Sequence, residues 1–175
     1  MIGAAAFIDM ILLEKTAQEL QGLLLDQGLT ISVAESLTAG NLQAAITSVS
    51  GASAYFVGGI CTYDIDQKVK FLFVNREHAA SCNCVSEQVV AEMAQGCKSL
   101  FMTDITIATT GYAEPCPDEG WDDPGAYICV HFQGKGYIWH VTYVTPGITR
   151  RMVQERVAWD AMTLCCNLLK GEPVT

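Results

Sequence analysis

The chain has 175 residues, half of them hydrophobic, and 19 acidic side chains against 10 Lys and Arg give it a formal charge of -9. That length and apolar content suit one compact domain with a real core, and no apolar run is long enough to span a bilayer. Net acidity argues against a nucleic-acid partner, because phosphate backbones are bound by clustered Lys and Arg; Lys68, Lys70, Arg76 and the group Arg150, Arg151 and Arg156 are the main cations available to an anionic small molecule.

The apolar run that begins at Gly3 lacks a basic leader, carries Asp9 and continues into Glu14, Lys15 and Gln18, so it reads as an amphipathic helix over 5–27 rather than a signal sequence. A buried strand is expected over 29–34 and a second helix over 37–48. The turn Ser50 to Ser53 leads to a strand over 56–63, after which Asp64, Ile65 and Asp66 open a short helix that contains Lys68. Ser86 and Glu87 start a helix that reaches Phe101 with Val89, Val90, Met93, Ala94 and Cys97 on its apolar face. A β-rich run covers 104–109, a polar loop runs from Thr110 to Pro124, and strands over 125–132 and 137–144 flank a hairpin turn at Gln133 to Gly136. A closing helix is expected over 149–170. Early alternation of helix and strand followed by a late hairpin predicts an α/β fold, a mixed sheet covered by helices on both faces. No repeat or proline-rich linker divides residues 1–175, which read as one domain.

The eight cysteines form no C-x-x-C pair, and His78, His131 and His140 show no metal-like spacing, so no metal site is expected. Most of the cysteines, Cys61, Cys129, Cys165 and Cys166 among them, read as small buried hydrophobes in a reducing cytoplasm. Cys82 and Cys84 read as a loop pair open to oxidation.

Chemistry is expected at strand ends. Ser36 lies where a strand turns into a helix, among unpaired N–H groups and at the positive end of a helix dipole, which suits either a nucleophile with its oxyanion or a simple N-cap. Tyr63 ends another strand and Lys68 follows five residues later, so both side chains can bend toward a common cleft; a strand-end aromatic and a solvated helix lysine are the plain alternatives. A serine needs a base to attack an amide, and lysine serves only if burial or a neighbouring cation lowers its pKa from about 10.4 to roughly 7 to 8.

Several motifs occur in order: AESLTAG at 34–40, SGAS at 50–53, FVGGICTYDIDQK at 56–68, Val85 to Glu87, and Thr110 to Pro115 before a strand led by Gly125. Over about residues 15–168 the chain resembles the CinA C-terminal-domain family, the nicotinamide-nucleotide amidohydrolases. The resemblance implies a three-layer α/β/α sandwich that hydrolyses the carboxamide of nicotinamide mononucleotide to the acid and ammonia, without metal or other cofactor. It puts the nucleophile on Ser36, the base on Lys68 and a positioning phenol on Tyr63. It also implies an oxyanion and substrate-binding set of Leu37, Thr38, Gly40, Gly111, Ala113 and Arg150. Homo-oligomers are common in the family, and Phe7, Met10 and Ile11 offer an apolar contact surface.

The chain departs from the family pattern in named places. A glycine-rich loop is replaced by Glu114 to Asp123, which carries five carboxylates, and Leu37 and Ala39 replace a cysteine and a glycine beside the nucleophile. Gln154 stands where a second arginine is expected after Arg150. A working amidohydrolase is therefore weighed against a non-catalytic relative that binds a nucleotide-like ligand or a protein partner. Tyr112 and Trp121 are aromatic neighbours of the acidic loop, suited to stacking on a flat ligand or to packing on the protein's own surface; Trp139 and Trp159 are assigned to core or subunit contacts.

Overall fold

The computed structural model describes residues 4–172, with side chains described from Ile11 onward. Helix α1 (Ala4–Gln27) leads into β1 (Ile31–Glu35), α2 (Asn41–Thr47), β2 (Phe56–Cys61), α3 (Ile65–Leu72), α4 (Arg76–Ser81) and α5 (Glu87–Phe101). Strands β3 (Ile105–Tyr112), β4 (Gly125–Phe132) and β5 (Lys135–Thr142) follow, and α6 (Arg150–Lys170) closes the fold. The sheet runs β2-β1-β3-β4-β5. Strand β1 is parallel to both of its neighbours, whereas β3, β4 and β5 form an antiparallel meander.

Strand periodicity separates the two faces. Ile31 and Val33 of β1, Ile105 and Ile107 of β3 and Ile128 and Val130 of β4 belong to one core with Leu20 and Leu24 of α1, Leu42 and Ile46 of α2, and Val153 and Val157 of α6. The alternate residues are small: Ala34, Ala108 and Cys129 meet Val89, Val90, Met93 and Cys97 of α5. Small sheet side chains let α5 sit close, and Gly96 brings it against α3, where an added Cβ would lie 2.1 Å from the Leu72 carbonyl oxygen. The result is the expected three-layer arrangement. No described helix is long and apolar enough to cross a membrane.

Local rules set most element ends. Asp64, Asn75, Ser86 and Thr149 cap α3, α4, α5 and α6 through side-chain oxygens that accept backbone N–H bonds. The hairpin turn is tighter than the composition suggested. Phe132 pairs with Lys135, and Gln133 (φ 50°) and Gly134 (φ 78°) make a two-residue turn whose positive dihedrals match the strand twist. Strand β3 extends to Tyr112 rather than 109, because Thr110 to Tyr112 pair with Gly125 to Tyr127 of β4. The four-residue loop expected to become α2 at once is instead a turn, and α2 starts at Asn41. Cys61 is exposed on β2 rather than buried, since β2 is an edge strand; Cys97, Cys129, Cys165 and Cys166 are buried.

Candidate active site

Parallel strands β1 and β3 adjoin while the connection from β1 goes the other way, to β2, so the carboxyl end of β1 is a topological switch point. Ser36 is the first residue beyond it. Its N–H donates to the Thr109 carbonyl of β3 (3.1 Å), which ties the nucleophile candidate to the sheet. The chain then makes a left-handed turn through Ala39 (φ 50°) and Gly40 (φ 98°) before α2 begins. Ser36 does not cap that helix. The buried Glu35 carboxylate does so, accepting from the N–H groups of Gly40 (2.9 Å), Leu42 (3.1 Å) and Gln43 (2.9 Å). A carboxylate at the positive end of α2 satisfies three orphan donors and leaves the Ser36 hydroxyl to other partners.

That partner is Lys68. Its Nζ lies 3.0 Å from Ser36 Oγ and donates to the carbonyl oxygens of Thr62 (2.7 Å) and Tyr63 (2.8 Å). The side chain is 1% exposed, and burial lowers its pKa from the ordinary lysine value, against smaller opposing pulls from Cys84 and Asp64. No carboxylate pairs with it among the described residues. Two carbonyls therefore fill two N–H directions of the amine, and the remaining tetrahedral direction meets the serine. A neutral amine held in this way presents its lone pair to the Ser36 proton.

Tyr63 contributes by its backbone rather than by its phenol. The ring is 60% exposed, and its hydroxyl accepts a 2.7 Å bond from Arg150 Nη2. The phenol expected to position the pair thus does not lie between Ser36 and Lys68, because the lysine reaches the serine directly. Arg150 also donates from Nη1 to Glu114 Oε2 (2.7 Å). The three side chains form one exposed cluster on the rim. Gln154, one turn further along α6, donates to the Leu37 carbonyl (2.9 Å) and steadies the turn after Ser36.

These elements border a cavity of about 550 Å³. Ser36, Leu37, Tyr63, Lys68, Gly111, Ala113, Glu114 and Arg150 line it, with Asp64, Cys84 and Tyr112. Thr38 and Gly40 stand back from it. The Thr38 hydroxyl bonds Thr109 (2.8 Å), and the Gly40 N–H is taken by Glu35. The N–H groups of Leu37 and Thr38 have no acceptor among the described residues, and that of Leu37, a residue of the cavity wall, is a donor beside the serine for a developing oxyanion. Gly111 is needed for close approach, since an added Cβ would lie 2.2 Å from the Gly125 carbonyl oxygen. Trp121 packs on Tyr112, Tyr127 and His140, with ring centroids 5.1 to 5.9 Å apart, so it serves the protein's own surface.

Three participants were not legible as such. Glu35 falls just beyond the strand expected over 29–34, and the three N–H bonds it accepts appear only when α2 folds back. The Thr62 carbonyl carries no side-chain signal. Cys84, singled out for redox chemistry, is half-buried on the cavity wall, where burial raises its thiol pKa despite the pull of Lys68.

Residues 13–169 match the family model described as the CinA C-terminal domain. The chain belongs to that family. A CinA-like protein of Shewanella pealeana is 32% identical over 159 residues, which is 90% of this chain and 37% of the relative. A CinA-like protein of Chlorobium limicola is 41% identical over 123 residues, 70% of this chain and 28% of the relative. The chain thus spans well under half the length of these curated relatives. A competence-damaged protein (CinA) superfamily structure from Klebsiella pneumoniae superposes with a TM-score of 0.85 at 26% identity, covering 91% of this chain and 98% of that one. The CinA family and the α/β fold expected from the motifs are both borne out.

Proposed function

We propose that this chain is an amidohydrolase that converts a non-peptide carboxamide of the nicotinamide-nucleotide type to a carboxylate and ammonia. The observation that carries the reading is the 3.0 Å contact between Ser36 Oγ and the buried Lys68 Nζ beside an open cavity. With Lys68 neutral, its lone pair takes the serine proton as Oγ forms a bond to the carboxamide carbon. The oxyanion so formed meets the Leu37 N–H group. As the C–N bond breaks, the Lys68 ammonium returns its proton to the leaving nitrogen; ammonia departs and an acyl ester remains on Ser36. Water then attacks that ester, Lys68 takes a proton from it, and the proton returns to Ser36 as the carboxylic acid is released.

Ammonia release from nicotinamide mononucleotide and from a panel of small non-peptide amides tests this. The parent is expected to release ammonia from at least one of them, and Ser36→Ala from none. Silence of the parent across the panel at high enzyme concentration overturns the reading. The Glu114 to Arg150 pair at the rim favours a second one, binding of a nucleotide-like ligand or a protein partner without turnover, for which binding without ammonia is the expected result.

The same proposal takes the chain as cytoplasmic, in keeping with its eight free cysteines, and as a homo-oligomer. Of the apolar surface expected to support assembly, the side chains of Phe7 and Met10 lie outside the described residues, while Ile11 is half-buried. A monomeric mass by light scattering at micromolar concentration removes the oligomer from the proposal.

A further inference from the structure

The turn from Ser36 to Gly40 carries the nucleophile candidate into α2, and its peptide groups are bonded unequally. The Ser36 carbonyl accepts from the Ala39 N–H (3.2 Å), and the Thr38 carbonyl accepts from the Asn41 N–H (2.9 Å) and from Asn41 Nδ2 (2.6 Å). The peptide between Leu37 and Thr38 has no bond of this local kind. Its N–H, that of Thr38, is without an acceptor among the described residues, and its carbonyl, that of Leu37, is met by Gln154 Nε2 (2.9 Å) from 117 residues away. Gln154 is half-buried on α6 between Val153 and Val157, which share a core with the Leu37 side chain, so the donor arrives on a packed helix. It does not line the cavity itself.

From this we infer that Gln154 is a positioning residue for the attack of Ser36: by holding the Leu37 carbonyl it fixes the Leu37–Thr38 peptide plane and, through it, the aim of the Leu37 N–H at the developing oxyanion. The inference rests on the Ser36 nucleophile of the amidohydrolase reading and adds a residue to it. A peptide unit is rigid, so its orientation depends on the two rotatable bonds that flank it. Without Gln154, rotation about those bonds is opposed only by side-chain packing and by the Thr38 hydroxyl bond to Thr109. A backbone donor stabilises an oxyanion when it is aimed in advance, so a loosened plane costs rate more than it costs ground-state binding. The role needs a donor and not a charge. A carboxylate of the same shape would set two acceptors face to face, whereas the glutamine amide donates while neutral.

Labelling of Ser36 by phenylmethanesulfonyl fluoride, followed by intact mass, tests the inference without any amide. Ser36 Oγ displaces fluoride from sulfur, Lys68 takes the serine proton, and the sulfonyl oxygen that gains charge meets the Leu37 N–H. Gln154→Met keeps the length and helix preference of the side chain but cannot donate. It is expected to lower the maximal labelling rate by at least about tenfold and to leave the half-saturating reagent concentration within about twofold. Gln154→Glu is expected to lose as much near pH ~8 and to recover toward the parent as pH falls to about 5, where a protonated carboxyl can donate to the Leu37 carbonyl. Rates are taken as ratios to the parent at each pH, so the titration of Lys68 cancels. A Gln154→Met rate within about twofold of the parent, a loss confined to the half-saturating concentration, a Gln154→Glu ratio that ignores pH, or a parent whose Ser36 is not labelled each overturns the inference. Labelling slowed as expected, with no ammonia from the parent across the amide panel, leaves it standing and removes the amidohydrolase reading. Ammonia from the parent with undiminished labelling of Gln154→Met does the reverse.

Discussion

On the β1 and β2 side of the cavity Ser36 and Lys68 are buried, and the lysine is met by three oxygen partners at 2.7 to 3.0 Å. At the mouth the Tyr63 ring, from beyond β2, and Glu114, from beyond β3, meet Arg150 of α6 at 2.7 Å contacts of their own, but in the exposed rim. The distances are alike and the consequences are not. Burial changes the protonation chemistry of the lysine, whereas solvent screens the rim pair, which therefore adds little to holding the fold. Charged groups at similar spacing thus differ in protonation according to burial, and only the buried pair has the chemistry that the proposed function needs.

The sharpest way to break this contrast is to remove the buried pair. Ser36→Ala and Lys68→Met are each expected to lower kcat/KM by at least about a thousandfold, with the double variant little worse than either, because the two groups act as one unit. Additive losses in steady-state kinetics would separate their roles.

Next in size is the support beneath them. Glu35→Ala leaves three N–H groups of the α2 turn without their acceptor, so unfolding in denaturant should show a loss of about 3 kcal/mol. A loss below about 1 kcal/mol would mean that water reaches those donors and that the turn is not held from beneath.

The pH profile then sharpens the comparison. Because burial lowers the Lys68 pKa, the neutral base forms below its ordinary 10.5, and kcat/KM should rise with pH and level off before that value. The same shift has a stability sign. The unfolded chain binds the Lys68 proton more tightly, so the lysine's contribution to stability rises with pH between its folded value and 10.5 and falls as pH drops through the folded value. An activity limb centred at or above 10.5 would describe a solvated lysine instead.

Two smaller effects complete the set. Ala39 holds φ at 50°, where its Cβ is unfavourable, so Ala39→Gly should raise stability by about 1 kcal/mol in thermal or denaturant unfolding. Tyr63→Phe removes a rim hydroxyl but keeps the carbonyl bonded to Lys68, so turnover of the amide should fall by less than about threefold. A collapse of activity comparable to that of Ser36→Ala would restore the phenol to the reacting centre.

How much of this was legible depends on the range of the interactions. The helices α1, α5 and α6 follow from long periodic patterns, and the Asp64, Ser86 and Thr149 caps from local chemistry. Helix α4 was missed because six residues carry too little periodicity to register, although Asn75 marks its start. At the site, Ser36 and Lys68 stood out through strand-end position and family resemblance. That Tyr63 meets Lys68 by its carbonyl and Arg150 by its phenol was not legible, because sequence places a residue without saying which of its atoms faces inward. Glu35 went unnoticed because its partners lie beyond the turn that it holds.

The chain's own order of residues determined the alternation of elements, the two differently sized faces of the sheet and the presence of a serine, a lysine and an acidic loop, since these depend on short-range periodicity and composition. Tertiary structure decided which of those groups touch, which are buried and which charges cancel: a 3.0 Å contact across 32 residues, and a guanidinium already claimed by Glu114, depend on how β1, α3 and α6 pack. Lysine in water is a cation like any other, and only burial against the end of the sheet lowers its proton affinity toward that of a base.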